Sequence, residues 1–305
     1  MAASERNAAA ETKAVALEDF DTLWNYNDPA ATEARFRELL PVAEQRADSE
    51  LHAQLLTQIA RTQGLQRLFA EAQSTLDQAA KLITDSMPLA RARWLLEQGR
   101  LLNSSGRRAE SVPVFREALR VSEGGAFEFF AIDAAHMLGI ASEPQEALDW
   151  NLKAIAMAEA AREKRARGWL GSLYNNTGWT LHDQGEYARA LDLFERALAW
   201  REEQGQGAEI RIAKWCVARC LRSLGRTEEA LARQQALQAE LVAAGVEQDG
   251  YVYEELAECL HALGKTDEAR PWFRRAHAVL SQDPWLQEQE PARLERLAEL
   301  GGPAD

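Results

Sequence analysis

The sequence predicts an all-α protein, a superhelix (solenoid) of six to seven helical hairpins with a C-terminal capping helix. Three observations predict this fold. Apolar residues recur at intervals of three and four along Gly171–Trp200, in two stretches separated by a glycine. The same pattern returns along most of the chain. Finally, hydrophobic residues make up 46% and charged residues 27% of a sequence rich in alanine, leucine, glutamate and arginine, which is typical of soluble helical proteins.

The stretch Gly171–Trp200 is the clearest hairpin. It reads as two amphipathic helices joined by a tight turn at Gln184–Gly185. Gly178 and Ala190 are small residues on the faces where the two helices must meet. Packed helix axes approach to about 8–10 Å, so a large side chain at either position would push the helices apart. We number the other hairpins by this one, with Gly171 as position 1.

Small residues recur in register along the chain. Comparable repeats begin at Ala53, Ala92, Glu128, Gly171, Arg211 and Gly250. Position 8 is alanine or glycine in every repeat, position 20 is alanine or serine, and position 27 is alanine in all but one. Position 24 is leucine or phenylalanine, except for Asn151 and Gln234. Three such columns held across six repeats are not accidental, so the chain is a repeat array.

These columns resemble the tetratricopeptide repeat (TPR) family. The family's turn glycine near position 15 is present in four repeats as Gly106, Gly185, Gly225 and Gly264, and Arg67 and Ser142 replace it in the other two. The repeats step by about 36–43 residues and lack the usual proline at position 32. This longer style is similar to kinesin light chains and bacterial peptide-sensing regulators. The resemblance implies a right-handed α-α superhelix whose first helices line a concave groove.

We expect a single TPR superhelical domain over residues 11–300, between disordered tails at 1–10 and 301–305. Its first part, 11–47, is a degenerate capping repeat, and residues 288–300 form the capping helix. Atypical ends are expected because terminal repeats cover the stack. The full repeats start near residues 53, 92, 128, 171, 211 and 250.

Charge and hydropathy exclude several classes of function. The net charge is −13 and the sequence pI is about 5.0, which disfavours nucleic acids and anionic membranes as partners. Neither a secretory signal nor an apolar run of about 18 residues is present, so we expect a cytoplasmic protein. Three cysteines without paired spacing, Cys216, Cys220 and Cys259, are typical of reduced thiols.

Motifs for catalysis or metal binding are missing from the sequence. It has no Gly-x-Ser-x-Gly, no phosphate-binding glycine-rich loop and no HExxH pattern. Two of the five histidines, His182 and His261, share position 12, but they lie two repeats apart and are too distant to bind one metal. We therefore expect no enzymatic activity, no metal and no cofactor.

The resemblance implies that positions 2, 5, 9, 12 and 13 of each first helix face the groove. Arginines and aromatic residues recur there, and these types bind carboxylates and apolar groups. The candidate ligand-binding residues are Arg61, Arg93, Arg100, Phe129, His136, Asn175, Trp179, His182, Trp215, Arg219 and Arg222. The three arginines nearest the N-terminus would make that half basic, whereas Glu254 and Glu258 would make the last repeat acidic. The expected ligand is a protein or extended peptide with acidic and apolar side chains.

Other interpretations remain open. Trp179 and Trp215 would also suit packing between repeats, and glutamates of neighbouring helices would neutralise the arginines. The lysine and asparagine of chaperone-binding TPRs occur together in no repeat, so recognition of a chaperone tail is not expected. A self-assembling scaffold is an alternative, a homo-oligomer formed through outer-helix tryptophans, namely Trp150, Trp200 and Trp272. A peptide-sensing regulatory module is another, but it would need an effector domain, for which the chain has no room.

Overall fold

The computed structural model describes residues 19–246 and 248–303. Every regular element in these ranges is helical, and none of the helices there has the length and apolar character needed to cross a membrane. The tail expected at 1–10 and the first residues of the degenerate repeat lie outside the described residues. The chain divides into two compact units, Met1–Trp169 (unit 1) and Leu170–Asp305 (unit 2). The single domain over 11–300 stays a prediction.

Unit 1 contains three complete helical hairpins after an N-terminal segment. A 3-10 turn at Phe20–Leu23 precedes the helices. The helices are α1 (Pro29–Gln45), α2 (Ser49–Leu65), α3 (Phe69–Leu82), α4 (Pro88–Ser104), α5 (Arg108–Gly124), α6 (Glu128–Ala141), α7 (Pro144–Ala160) and the short α8 (Lys164–Arg167). The hairpins pair α2 with α3, α4 with α5 and α6 with α7.

The N-terminal segment differs from the expected capping repeat. Helix α1 is the second helix of that repeat, and it begins at Pro29, where Asp28 accepts a hydrogen bond from the backbone N–H of Ala31 at 2.9 Å. In place of the end of a first helix, the chain forms the 3-10 turn and an irregular stretch. The reason is Phe20, which is buried at position 8, where every complete repeat has alanine or glycine. Its ring requires more space than a close helix pair leaves.

Unit 2 also contains three hairpins. Its helices are α9 (Leu170–Asp183), α10 (Tyr187–Gln204), α11 (Gly207–Ser223), α12 (Thr227–Ala243), α13 (Gly250–Ala262), α14 (Thr266–Leu280), α15 (Pro284–Gln289) and α16 (Pro291–Gly301). The capping helix expected at 288–300 is in fact two helices, broken at Glu290. The break follows from Pro291, which has no N–H to continue α15 but suits the first position of α16. Helix α16 packs on α14.

The small-residue columns have the role that the sequence predicts. A Cβ atom added to Gly99 would lie 2.5 Å from the ring of Phe115, and one added to Gly178 would lie 2.7 Å from the ring of Phe194. Position 8 therefore faces position 24 of the same hairpin, and its small size lets the ring lie between the helices. The all-α fold of repeated TPR-like hairpins is confirmed.

Turn conformations explain the glycines near position 15. Gly106, Gly185, Gly225 and Gly264 all have φ between 75° and 85°, a region that other residues rarely adopt. Arg67 takes the same conformation, with φ of 62°, at the cost of Cβ crowding. Ser142 does not, because α6 ends there in extended backbone and α7 starts two residues later.

An insertion after α7 completes unit 1. Residues 161–169 account for the 43-residue step between the repeats that start at Glu128 and Gly171. They include helix α8, which contacts α6 and buries Ala166 completely. The segment brings Arg165 and Trp169 to the face formed by the first helices of unit 1.

Candidate functional site

The candidate residues fall into two groups, one in each unit. Arg61, Arg93, Arg100, Phe129 and His136 belong to unit 1, on α2, α4 and α6. Asn175, Trp179, His182, Trp215, Arg219 and Arg222 belong to unit 2, on α9 and α11. Because first helices carry all of them, each group lies on the first-helix face of its own unit. We describe the two faces separately.

The first-helix face of unit 1 encloses a cavity of about 370 Å³ (the unit 1 cavity). Its charged lining residues are Asp21, Arg61, Arg93, Glu97, Asp133 and Arg165. Its aromatic lining residues are Trp24, Tyr26, Phe129, Phe130 and Trp169. The N-terminal segment and the insertion at 161–169 supply part of this lining, so the cavity has walls that the hairpins alone would not provide.

Asp21 joins the two added walls. One of its carboxylate oxygens accepts a hydrogen bond from Arg93 at 3.0 Å, and the other is paired with both Arg93 and Arg165, the latter at 2.8 Å. Burial alone would raise the pKa of Asp21, but the hydrogen bond and the charge of Arg93, aided by Arg165, outweigh burial and lower it. Asp21 is therefore ionised at neutral pH and holds both guanidinium groups.

A second ion-pair network lies beside it. Arg61 and Arg100 both donate to one oxygen of Glu97, at 3.2 and 2.6 Å, and Arg100 is also paired with Asp133. Burial alone would lower the pKa of Arg100, but the carboxylates of Asp133 and Glu97 outweigh burial and raise it. His136 is buried beside this network and its ring lies 5.4 Å from that of Trp169. Burial lowers the pKa of His136, so the imidazole is neutral at pH 7.

The cavity's arginines also stack on aromatic rings. The guanidinium of Arg165 lies 3.9 Å from the ring centre of Phe129, and that of Arg93 lies 4.7 Å from Phe130. Arg61 is 5.5 Å from the ring of Trp24. Such contacts are favourable and fix the orientation of the guanidinium.

The basic N-terminal half expected from the sequence is not found as such. Arg61, Arg93 and Arg100 each have a carboxylate partner, which agrees with the alternative that carboxylates neutralise the arginines. The position columns of the six full repeats did not reveal this, because Asp21 belongs to the degenerate first repeat and Asp133, at position 6, lies outside the groove positions.

The first-helix face of unit 2 has a cavity of about 420 Å³ (the unit 2 cavity). Two tryptophans, four arginines and four glutamates line it: Trp179, Trp215, Arg219, Arg222, Glu254, Glu255, Glu258, Glu290, Arg293 and Arg296. Most of these charges are tightly paired. Arg222 donates two hydrogen bonds to Glu255, at 2.6 and 2.9 Å, and Arg293 and Arg296 bind Glu254 and Glu258 in the same two-pronged way. The acidic last repeat expected from Glu254 and Glu258 is thus neutralised by α16.

Arg219 is the exception. Its distance to Glu255 is 3.6 Å, and its short hydrogen bond, 2.6 Å, goes to the neutral Ser223. Among the described residues that line this cavity, it is the arginine held most loosely by a carboxylate.

A row of aromatic side chains crosses the unit 2 face. The ring centres of Trp179 and Trp215 are 5.8 Å apart, and those of Trp215 and Tyr251 are 6.1 Å apart. The indole N–H of Trp215 donates to the backbone oxygen of Tyr251 at 3.0 Å, which fixes its ring. Tyr251 is 40% exposed, and Ile212, one helical turn before Trp215, is 53% exposed. We call Trp179, Trp215 and Tyr251, together with the adjacent aliphatic residue Ile212, the aromatic row.

Asn175 and His182 lie beside the aromatic row, not in the cavity lining of the described residues. The amide oxygen of Asn175 is 3.5 Å from the thiol of Cys216, and burial raises the pKa of that thiol to about 12. His182 pairs with Ser223 at 2.9 Å. Burial, assisted by the charge of Arg219, lowers the pKa of His182. Both residues therefore support neighbouring side chains.

Two segments match models of the tetratricopeptide repeat family, residues 170–203 and 251–275. They coincide with the hairpins α9–α10 and α13–α14. The chain contains tetratricopeptide repeats. No curated protein matches the sequence.

Several solved structures share this TPR fold. A signal transduction ATPase with a TPR sensor, from Pyrococcus horikoshii, is 15% identical with a TM-score of 0.69, and the match covers 95% of this chain and 46% of that one. The apo form of RapI is 11% identical with a TM-score of 0.66, covering 94% and 83%. BtubC from P. vanneervenii is 16% identical with a TM-score of 0.59, covering 74% and 94%. At these identities the likeness concerns the fold alone.

The TPR positions identify some residues of the two candidate sites that the candidate set missed. Asp21 is at position 9 of the degenerate repeat that starts near Lys13, and Tyr251 is at position 2 of the last repeat, so both had a signal in the sequence. Arg165 and Trp169 had only an indirect one, the long step between two repeats.

Proposed function

We propose that this TPR chain is a non-catalytic binding protein that recognises a protein segment or extended peptide on the first-helix face of unit 2. The observation that carries the proposal is the aromatic row, Ile212, Trp179, Trp215 and Tyr251. It presents apolar surface on rigid helices, next to a cavity with charged walls.

Physical arguments support the aromatic row as the anchor. Tryptophan and tyrosine are the residue types most often responsible for binding energy at interfaces, since a large ring loses little conformational entropy when it is already held. Trp215 is held by its own hydrogen bond to Tyr251. Ile212 and Tyr251 occupy position 2 of consecutive repeats, so an extended segment that crosses both repeats would meet one apolar contact in each.

The charges suggest which segment fits. Arg222, Arg293 and Arg296 already bind glutamates with two contacts each. A ligand carboxylate would therefore bind Arg219, whose nearest carboxylate is 3.6 Å away. The proposed ligand has an apolar side chain for the aromatic row and an acidic side chain close to it, and the other arginines do not select for further acidic residues.

The experiment selects random-sequence peptides displayed on phage against the full chain and measures the affinity of the enriched peptides by fluorescence anisotropy. We expect enrichment of peptides that combine apolar and acidic residues. Trp215→Ala should weaken their binding about 30-fold or more, the equivalent of about 2 kcal/mol, and Arg219→Glu should weaken it as well. Trp150→Ala is the matched control, because Trp150 is a half-buried tryptophan on the second helix α7 of unit 1.

Circular dichroism spectra would verify that each variant is folded. If the enriched peptides bound Trp215→Ala and Trp179→Ala as tightly as the unchanged protein, the aromatic row would not be the site.

The self-assembling scaffold has less support. Its three outer-helix tryptophans are half-buried. Arg116 and Lys153 stack on Trp150, at 5.3 and 5.0 Å, and Arg275 stacks on Trp272 at 4.8 Å. These rings offer less bare apolar surface than the sequence suggested. Light scattering over a range of concentrations tests this alternative directly.

A further inference from the structure

The unit 1 cavity contains polar groups that no described residue of unit 1 satisfies. Glu97 is 5% exposed, and its oxygen Oε2 has no hydrogen-bond partner among the described residues, because both of its arginine contacts go to Oε1. The Nε atoms of Arg61 and Arg93 and the indole Nε1 of Trp169 are also buried without a partner there. All four side chains line the cavity.

Unpaired buried groups are costly. A buried donor or acceptor without a partner costs about 1–3 kcal/mol, and more when it is charged. Among the described lining residues, the cavity thus has one buried acceptor without a partner, a carboxylate oxygen, and three buried donors without one, two of them on guanidinium groups. A ligand that supplies one strong donor and one strong acceptor would satisfy both kinds.

The charge balance restricts the ligand further. Three arginines and three carboxylates line the cavity, so a purely cationic ligand would meet three guanidinium groups and a purely anionic one three carboxylates. A zwitterion avoids both conflicts, because its ammonium binds Glu97 and its carboxylate binds Arg61 and Trp169.

Size and apolar lining complete the description. The volume of 370 Å³ corresponds to about a dozen waters at the 30 Å³ that each occupies in the liquid. It lies within the range of small-molecule sites, about 300–1,000 Å³. Five aromatic side chains line the same space and suit an apolar or aromatic group of the ligand.

We propose that the unit 1 cavity binds a free α-amino acid with an apolar or aromatic side chain, with Glu97 as the ammonium acceptor and Arg61 and Trp169 as the carboxylate donors. This site is independent of the peptide site proposed on unit 2. It uses a different unit, different side chains and a ligand of a different size.

The test is calorimetric titration of the full chain with L-phenylalanine and L-leucine, alongside the intrinsic tryptophan fluorescence, since Trp24 and Trp169 line the cavity. Each amino acid should bind. N-acetyl-L-phenylalanine lacks the ammonium and phenethylamine lacks the carboxylate, so each should bind at least about 10-fold more weakly than L-phenylalanine, the loss of roughly one hydrogen bond to a charged group.

Two variants locate the site. Glu97→Gln removes the charge that binds the ammonium, and Trp169→Phe removes the indole N–H but keeps an aromatic ring, so both should weaken L-phenylalanine binding. Glu110→Gln is the control, since Glu110 is an exposed carboxylate of unit 1 that also pairs with an arginine, Arg107. It should leave binding unchanged.

Three results would overturn the proposal. The first is the absence of both heat and fluorescence change with either amino acid at about 10 mM, which is ten times a millimolar Kd. The second is that the blocked analogues bind as tightly as L-phenylalanine. The third is that Trp169→Phe binds L-phenylalanine as tightly as the unchanged protein does. The blocked analogues are tested on the unchanged protein, so the proposal stays falsifiable if Glu97→Gln does not fold. None of these three results depends on Trp215 or Arg219, so failure here is distinct from failure of the peptide site.

Discussion

At the scale of single residues, the hairpins depend on a small residue at position 8, and the α9–α10 hairpin depends on a glycine there. Gly178 faces the ring of Phe194 so closely that one added carbon would lie 2.7 Å from it. Phe194 is completely buried, so its ring has little space into which to move. The close approach of α9 and α10 therefore rests on this one missing atom.

Gly178→Ala should destabilise the protein by about 1–3 kcal/mol, the usual cost of overpacking a core. Gly64→Ala is the matched control, because nothing lies within 4 Å of a Cβ added there and Gly64 is also within a helix. The control should gain up to about 1 kcal/mol, since alanine favours helix over glycine. Thermal unfolding followed by circular dichroism measures both. Equal melting temperatures for the two variants would contradict this account of position 8.

Single residues also show where sequence reasoning stopped. The small columns were predictable because each recurs at a fixed position within the repeat, and Gly178, Ala190 and Ala197 are all buried as expected. The partners of the ion pairs do not recur at one position from repeat to repeat. Nothing in the sequence joins Arg93 to Asp21, which lies 72 residues away, because that contact depends on how an irregular segment packs against helices that come later in the chain.

At the scale of elements, the turn within each hairpin is as informative as the helices. Four hairpins use glycine for the left-handed residue, and the α2–α3 hairpin uses Arg67 with φ of 62°. A residue with a Cβ atom pays about 1–2 kcal/mol for that conformation. Glycine avoids this cost but loses more conformational freedom on folding, so the net advantage is smaller.

Arg67→Gly should therefore stabilise the protein by about 0.5–1 kcal/mol. The control is Arg67→Ala, which removes the same long side chain, including its contact with Phe69, but keeps the Cβ atom. Urea unfolding of the three proteins separates the two effects. The prediction fails if glycine and alanine at this position change the unfolding midpoint equally.

The elements that the sequence did not predict are those outside the repeat period. Helix α8 occupies a step that is longer than its neighbours, and the break at Glu290 divides the range 288–300 that was expected to be one capping helix. Periodicity identifies elements that recur. A longer step shows where an insertion lies but not how it folds, although Arg165 and Trp169 of that insertion are part of a candidate site.

At the scale of the whole molecule, burial of one histidine in each unit links stability to pH. Burial lowers the pKa of His136 in unit 1 and of His182 in unit 2 below the ordinary value of 6.5. In the unfolded chain both titrate near 6.5. Between that pH and the lower folded pKa values the unfolded state binds more protons, so stability falls as the pH decreases.

We expect the melting temperature to decrease from pH 7 towards pH 5, where ordinary histidines become protonated. The double variant His136→Gln, His182→Gln lacks both groups and should show a flatter dependence over this range. Melting curves at closely spaced pH values measure it. If the melting temperatures of the two proteins fell in parallel, the decrease would be assigned to other groups, such as carboxylates that become protonated at acidic pH.

The ion pairs of Asp21 have a consequence for folding. Hairpins of a repeat array form from contacts between neighbours in sequence, so each can appear without waiting for the others. The unit 1 cavity is different, because Asp21 comes from the first described residues of unit 1 and Arg165 from nearly its last. Bringing them together requires every hairpin between them to be in place, and the loop-closure entropy is already lost when those hairpins form. We therefore expect the cavity to be completed after the three hairpins of unit 1, and to be present only while all three are folded.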